Sequence, residues 1–135
     1  MSVVYSLKNV VKSRFVDGHG FRLQVPKIEI RQHEIVALVG HSGCGKSTLL
    51  DMLALVLHPD ESDEFLLSPP LDQPHDIARL WQNKKQNRLS KLRKQYIGYV
   101  LQQGGLLPYL TVRENIELPF FKFFLKGEGQ RDFPE

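Results

Sequence analysis

The sequence predicts an α/β fold, in which a partial parallel sheet with flanking helices carries an additional antiparallel β layer at its N-terminus. Two largely apolar runs, 35–39 and 96–101, are typical of strands that helices cover on both faces. A glycine-rich loop and a leucine-rich, helix-forming segment directly follow the first run. The residues before it alternate between apolar and polar, which indicates strands with one solvated face.

The N-terminal layer is predicted as a hairpin. Residues 3–11 are rich in β-branched side chains and favour a first strand, and 17–20 (Asp-Gly-His-Gly) favour a turn. Residues 21–25 alternate with period two and predict a second strand, which 28–30 can continue after Pro26.

The remaining segments follow the loop in order. Residues 46–57 lack glycine and proline and predict a largely buried helix that His58-Pro59 stops. A short strand is expected at 65–67 and a break at 68–70. An imperfect helical stripe of apolar residues follows, in which Trp81 is interpreted as core: Ile77, Leu80, Trp81, Leu89 and Leu92. Thr111 and Glu114 form a capping-box pattern and predict a helix start, with Pro119 ending that helix.

Composition limits the function classes. A chain of 135 residues with 41% hydrophobic residues and net charge +3 suits one globular core, and this charge is too small to indicate a nucleic-acid partner. The single cysteine, Cys44, excludes an internal disulfide, and the apolar runs 49–57 and 120–125 are too short to cross a bilayer. Residues 77–113 contain eight lysines and arginines and no acidic residue, which fits either a solvated helix face or an anion-binding surface.

The glycine-rich loop is the strongest functional signal. It matches G-x-x-x-x-G-K-[ST] at every fixed position and comprises Gly40, His41, Ser42, Gly43, Cys44, Gly45, Lys46, Ser47 and Thr48. Glycines let backbone amides approach phosphate oxygens, and the following helix N-terminus favours an anion. The pattern predicts a site for ATP with Mg²⁺, in which Lys46 reaches the β- and γ-phosphates and Ser47 ligates the metal. Thr48 is expected beside the α-phosphate.

Two loop residues allow further interpretations. The Cys44 thiol lies beside a lysine and a helix start, so it is either a reactive thiolate or a small residue tolerated for its backbone amide. His41 is interpreted as an exposed loop residue, with a catalytic base as the alternative.

The chain resembles the ATPase subunit of ATP-binding cassette (ABC) transporters. Residues 40–50 are similar to the Walker A loop of that family and the helix that follows it. Residues 97–102 (Ile-Gly-Tyr-Val-Leu-Gln) are similar to the strand that ends in the Q-loop glutamine, and residues 106–116 are similar to the segment that opens the helical subdomain. The sequence after the glutamine is most similar to the branch that contains the lipoprotein-releasing, macrolide-export and cell-division ATPases. By resemblance, Gln102 would contact Mg²⁺ or the attacking water, with Gln103 as the alternative. Phe15 would stack on adenine, with Phe21 as the alternative.

The resemblance also implies an organisation. A β layer would cover about residues 1–34, a P-loop NTPase core about 35–103, the start of a helical subdomain about 104–126 and a tail 127–135. The partners would be a transmembrane permease subunit and a second ATP-binding domain, arranged head to tail. The protein would be cytoplasmic and peripheral at the inner face of the cell membrane.

The sequence also departs from the family pattern. The signature motif, the Walker B strand and the switch histidine of the family are not found in these 135 residues. We therefore expect an ABC-type ATPase segment that by itself binds ATP but hydrolyses it poorly. A truncated, non-hydrolytic ATP-binding or interaction module is the main alternative, and a P-loop enzyme such as a small-molecule kinase is the third.

Overall fold

The structure, a computed structural model, describes residues 2–101 and 105–118. It divides into two compact units, Met1–Gly98 and Tyr99–Glu135. The first unit contains a four-stranded antiparallel sheet and three helices, and the described part of the second contains one short helix.

The predicted N-terminal hairpin is confirmed, with longer strands than expected. Strand β1 (Val3–Val16) pairs antiparallel with β2 (His19–Arg31). The turn comprises only Asp17 and Gly18, both with positive φ (50° and 76°), so the expectation of a four-residue turn was wrong. Two residues with positive φ are what a tight hairpin connection requires, because this twist matches that of the strands.

Two further strands extend the sheet in the order β2-β1-β3-β4. Strand β3 (Glu64–Leu67) confirms the predicted short strand and pairs antiparallel with β1, and β4 (His75–Asp76) pairs with β3. Pro26 lies in β2, which is an edge strand of this sheet, where a residue without an N–H is tolerated.

One face of the hairpin packs against the helices. Tyr5 and Leu7 point to this inner face, since the Tyr5 hydroxyl donates to the Leu53 carbonyl at 2.7 Å and Leu7 is fully buried. Asn9 has a φ of 48°, and after it the buried positions resume at Val10. In β1, the side chains that face the helices therefore lie at odd-numbered positions before Asn9 and at even-numbered positions after it.

The two predicted parallel strands are not present among the described residues. Segment 35–39 forms no strand. In the predicted run 96–101, Tyr96 is helical and 97–101 form no strand, and all strand pairs among the described residues are antiparallel. Ile35 is 99% exposed and Val100 93% exposed. A parallel strand satisfies its backbone groups only through neighbouring strands, and the described residues supply none beside either segment.

Three helices pack on the sheet: α1 (Lys46–Leu53), α2 (Ile77–Gln82) and α3 (Gln86–Tyr96). Helix α1 begins at the predicted residue but ends four residues early, because Leu55 has a left-handed φ of 60°. Arg93 of α3 donates to the Leu55 carbonyl at 2.5 Å and satisfies one of the groups freed there. The buried core contains Leu7, Val10, Val25, Leu49, Met52, Leu55, Phe65, Leu67, Ile77, Leu89 and Leu92.

The capping box in the second unit is confirmed. The Thr111 hydroxyl accepts from the Glu114 N–H at 3.2 Å, and the Glu114 carboxylate accepts from the Thr111 N–H at 2.6 Å. Both bonds satisfy amides at the start of the helix 112–118. The expectation that Pro119 ends this helix lies outside the described residues.

Candidate functional site

The glycine-rich loop runs directly into α1 and leaves backbone donors available. The first intrahelical bond is from the Leu49 N–H to the Gly45 carbonyl at 2.9 Å. Among the described residues, no acceptor is found for the N–H groups of Lys46, Ser47 and Thr48, and the first turn carries no acidic side chain. Unpaired amides with no carboxylate to compensate them are the arrangement that attracts an anion to a helix N-terminus.

Three glycines of the loop are required for two different reasons. Gly43 and Gly45 have φ values of 79° and 102°, which side-chain-bearing residues rarely adopt. A Cβ on Gly45 would also lie 3.0 Å from Leu23 Cδ1 of β2. A Cβ on Gly40 would lie 2.7 Å from the Cys44 Sγ, so a side chain at this position would require the Cys44 thiol to move.

Lys46 lies across the loop. Its Nζ donates to the carbonyl groups of Gly40 and His41 at 2.7 and 2.6 Å and lies 3.5 Å from the Cys44 Sγ. These bonds hold the ammonium group over the same loop whose amides are unpaired. The loop therefore combines a fixed positive charge with several backbone donors.

The two hydroxyl residues that follow differ in exposure. Ser47 is exposed, whereas Thr48, in the first turn of α1, is buried. No group of three or more His, Cys, Asp or Glu side chains arranged to hold a metal is found in the part of the chain that the structure describes. Within the described loop, the Ser47 hydroxyl is a group that could ligate a Mg²⁺ ion.

The hairpin tip lies beside the start of α1. Arg14 of β1 approaches Asp51 of α1, with 3.8 Å between Nη1 and Oδ2, and Leu23 contacts the Gly45 position. The end of β1 is also fixed by Asp60, which accepts from the Ser13 N–H at 2.7 Å. That hydrogen bond, together with the ammonium of Lys12, holds the pKa of Asp60 below its usual range.

The two candidate adenine residues lie on opposite faces of the hairpin. Phe21 pairs with Arg14 across the strands and therefore shares the inner face toward α1. Phe15 follows Arg14 in β1, so its side chain points to the other face, where it covers Gly20 and is 85% exposed. The register thus favours Phe21, the alternative, as the aromatic side chain near the loop.

The predicted glutamine lies outside the described residues. Gln102 and its alternative Gln103 are both in the segment 102–104. Their assignments remain predictions.

Comparison with known proteins gives the family. The family model described as ABC transporter matches residues 23–134, which is most of the chain and includes the whole loop. The chain belongs to the ABC transporter family. This membership makes it a P-loop NTPase of the α/β class, and it corresponds to part of an ABC transporter ATP-binding protein.

Individual ABC relatives support the same assignment. An ABC transporter ATP-binding protein of Methanocaldococcus jannaschii is 33% identical over 93% of this chain and 51% of its own length. The lipoprotein-releasing system ATP-binding protein LolD of Paramagnetospirillum magneticum is 39% identical over 72% of this chain and 38% of its own. The macrolide export ATP-binding/permease protein MacB of Burkholderia thailandensis is 36% identical over 68% and 13%.

These relatives are longer than this chain. The chain spans about half or less of the length of the curated ABC proteins it matches. The likeness to LolD and MacB confirms the resemblance that the sequence motifs predicted. No helix among residues 2–101 and 105–118 has the length and apolar character needed to cross a membrane.

Sequence reasoning missed the contacts that support the ABC loop from outside. Leu23 packs behind Gly45, and the Arg14–Asp51 pair joins β1 to α1. Neither contact has a local sequence signal, because each joins residues more than twenty positions apart. The period-two pattern of β2 indicates only that Leu23 faces one side of the sheet.

Proposed function

We propose that this chain binds ATP with Mg²⁺ through residues 40–48, as the N-terminal portion of an ATPase that couples ATP binding and hydrolysis to transport across a membrane. The observation that carries the proposal is the set of unpaired amides at the start of α1 beneath the Lys46 ammonium. Family membership supports ATP as the nucleotide.

Each loop group has a defined task in this proposal. The amides of Lys46, Ser47 and Thr48 donate to phosphate oxygens, and the ammonium of Lys46 neutralises the β- and γ-phosphates. The Ser47 hydroxyl would hold Mg²⁺, which when bound would polarise the terminal phosphate. Gln102 contributes to the metal or water shell by resemblance to the family.

The adenine contact is proposed for one of two phenylalanines. Phe21 is favoured by its position on the face toward α1, and Phe15 by its place in the family pattern and its exposure. A serine at each position separates them. The substitution that removes the stacking contact, worth about 1 kcal/mol, should weaken the binding of ATP but leave the binding of inorganic triphosphate unchanged. The other substitution should change neither affinity.

The whole protein is proposed to work at a membrane. LolD and MacB are named for lipoprotein release and macrolide export, and by analogy this chain would work with a transmembrane permease and a second ATP-binding domain at the cytoplasmic face. Segments 35–39 and 97–101 are proposed to become parallel strands when neighbouring strands pair with them. Turnover by this chain alone is expected to be low, because its sequence shows phosphate-binding groups but not the Walker B and signature motifs.

The direct test is ATP binding by the wild-type chain and by Lys46→Ala. We expect about thirtyfold weaker binding in the variant, corresponding to roughly 2 kcal/mol for a lost charge-assisted contact. Lys27→Ala on β2 is the matched control, because it removes one exposed lysine away from the loop. Equal affinity of Lys46→Ala and the wild type would refute the site. Phosphate transfer to a small acceptor in place of water would indicate a kinase.

A further inference from the structure

A second surface, separate from the nucleotide loop, carries positive charge that the described protein does not neutralise. It is formed by Lys84, Lys85, Arg88, Lys91 and Lys94, on or just before α3, and we call it the α3 basic surface. All five side chains are exposed, and none forms an ion pair within residues 2–101 and 105–118. Helix α3 itself contains no acidic residue.

The same helix is anchored by apolar residues that point inward. Leu89 and Leu92 are buried in the core, and Arg93 turns toward the Leu55 carbonyl. The outer face of α3 is therefore purely polar and cationic. It has no apolar stripe with which an amphipathic helix would enter a bilayer.

A cleft of about 410 Å³ lies along this face. Its lining includes the cations Arg88 and Lys91 and the amide side chains of Gln73 and Gln95, together with the Asp72 carboxylate and the Tyr96 ring. Arg88 Nη2 donates to Nδ1 of the buried His75 at 3.4 Å, and the amide side chains of Gln73 and Gln95 are exposed. The cleft thus offers positive charge together with directional hydrogen-bond donors.

A leucine projects beside the cleft at a conformational cost. Leu71 is fully exposed, has a φ of 63°, and follows Pro70 in a turn closed by the Asp72 N–H and the Pro69 carbonyl at 3.2 Å. This position of such a turn normally carries glycine or asparagine. A bulky side chain in the left-handed region is a strained choice, and strain of this kind is concentrated at functional sites.

The turn is held rigidly on α3 by its neighbour. The Asp72 carboxylate accepts from the Tyr96 hydroxyl at 2.6 Å and from His75 Nε2 at 2.9 Å. Because Arg88 can only donate to Nδ1 of His75, the Nε2 proton is the one directed at Asp72. These bonds fix the backbone next to Leu71, which lowers part of the entropic cost of ordering this turn on binding.

We propose that the cleft and the α3 basic surface bind an acidic polypeptide segment, with carboxylates on Arg88 and Lys91 and one apolar side chain against Leu71. Charge complementarity selects an anionic partner, and the directional donors with a single preorganised leucine favour a protein segment over a lipid surface. The Tyr96 ring also lines the cleft, with its hydroxyl bound to Asp72, so a single-stranded nucleic acid is the competing ligand that the test must separate from a peptide.

The test uses the whole chain without nucleotide, so that its outcome is independent of the ATP site. A short fluorescent peptide of glutamates around one central leucine is titrated at about 0.05 M salt, where surface charges are weakly screened. We expect the Arg88→Gln/Lys91→Gln variant to bind roughly tenfold more weakly. The control variant Arg22→Gln/Lys27→Gln loses the same charge from β2 and should change binding less than about threefold.

Leu71→Asn provides a second, fold-neutral variant. Asparagine tolerates positive φ, so this variant should be at least as thermally stable as the wild type. Compared with the wild type, this variant should bind the leucine-containing peptide more weakly and an all-glutamate peptide with the same affinity. The proposal is overturned if no peptide binds, if both charge variants lose affinity equally, or if Leu71→Asn binds both peptides as the wild type does. Binding of anionic phosphatidylglycerol vesicles or of a single-stranded oligonucleotide in preference to the peptide also overturns it.

Discussion

Replacing Gly45 with alanine tests how the nucleotide loop is supported. The φ of 102° lies where only glycine is comfortable, which costs about 1–3 kcal/mol for any other residue. The new Cβ would also lie 3.0 Å from Leu23 Cδ1, and overpacking of this kind costs about 1–3 kcal/mol. We therefore expect the free energy of unfolding to fall by roughly 2–6 kcal/mol.

A matched glycine separates the two contributions. Gly43 also has positive φ, at 79°, but a Cβ there would meet nothing within 4 Å. Gly43→Ala should therefore show only the conformational cost, about 1–2 kcal/mol. The packing contribution should appear as a favourable coupling of about 1–2 kcal/mol when Gly45→Ala is combined with Leu23→Ala in a double-mutant cycle.

Urea unfolding followed by tryptophan fluorescence measures these differences, and ATP titration of the folded variants shows the effect on the site. Trp81 is the single tryptophan and packs against the core, which makes it a suitable reporter. Equal destabilisation by Gly43→Ala and Gly45→Ala, with no coupling to Leu23, would refute the packing argument.

Three further predictions follow from particular contacts. Gly40→Ala should weaken ATP binding, because the new Cβ would lie 2.7 Å from the Cys44 Sγ. Adding Cys44→Ala to the same chain should restore much of the affinity, and a binding titration that shows no rescue would contradict this explanation. The hydrogen bond from the Tyr96 hydroxyl, followed by that from His75, lowers the pKa of Asp72 from 3.8 to about 2. The contribution of the Asp72 carboxylate to the stability of the fold is therefore present above about pH 4 and is lost as the pH falls toward about 2. Asp72→Asn should remove this pH dependence from thermal denaturation. Thr111→Ala should reduce the hydrogen-exchange protection of the Glu114 amide about fivefold, from a lost cap of about 1 kcal/mol, whereas Thr111→Ser should retain it.

The candidate loop was predictable because its chemistry is local. The spacing from Gly40 to Thr48 determines where glycines allow close approach and where the ammonium lies, and the structure has α1 beginning at Lys46 as predicted. The Asp17-Gly18 turn and the Thr111–Glu114 capping box are likewise short-range patterns, with partners at most three residues apart. The family assignment depends on short sequence motifs of the same kind.

Tertiary structure decided the features that depend on distant partners. The apolar run 35–39 has the composition of a buried strand, yet it is exposed here because backbone pairing needs neighbours that composition cannot supply. Asn9 changes the alternation of β1, so that Phe21, and not Phe15, faces α1. Which face a side chain occupies is a property of register, and register is determined by contacts between segments far apart in the chain.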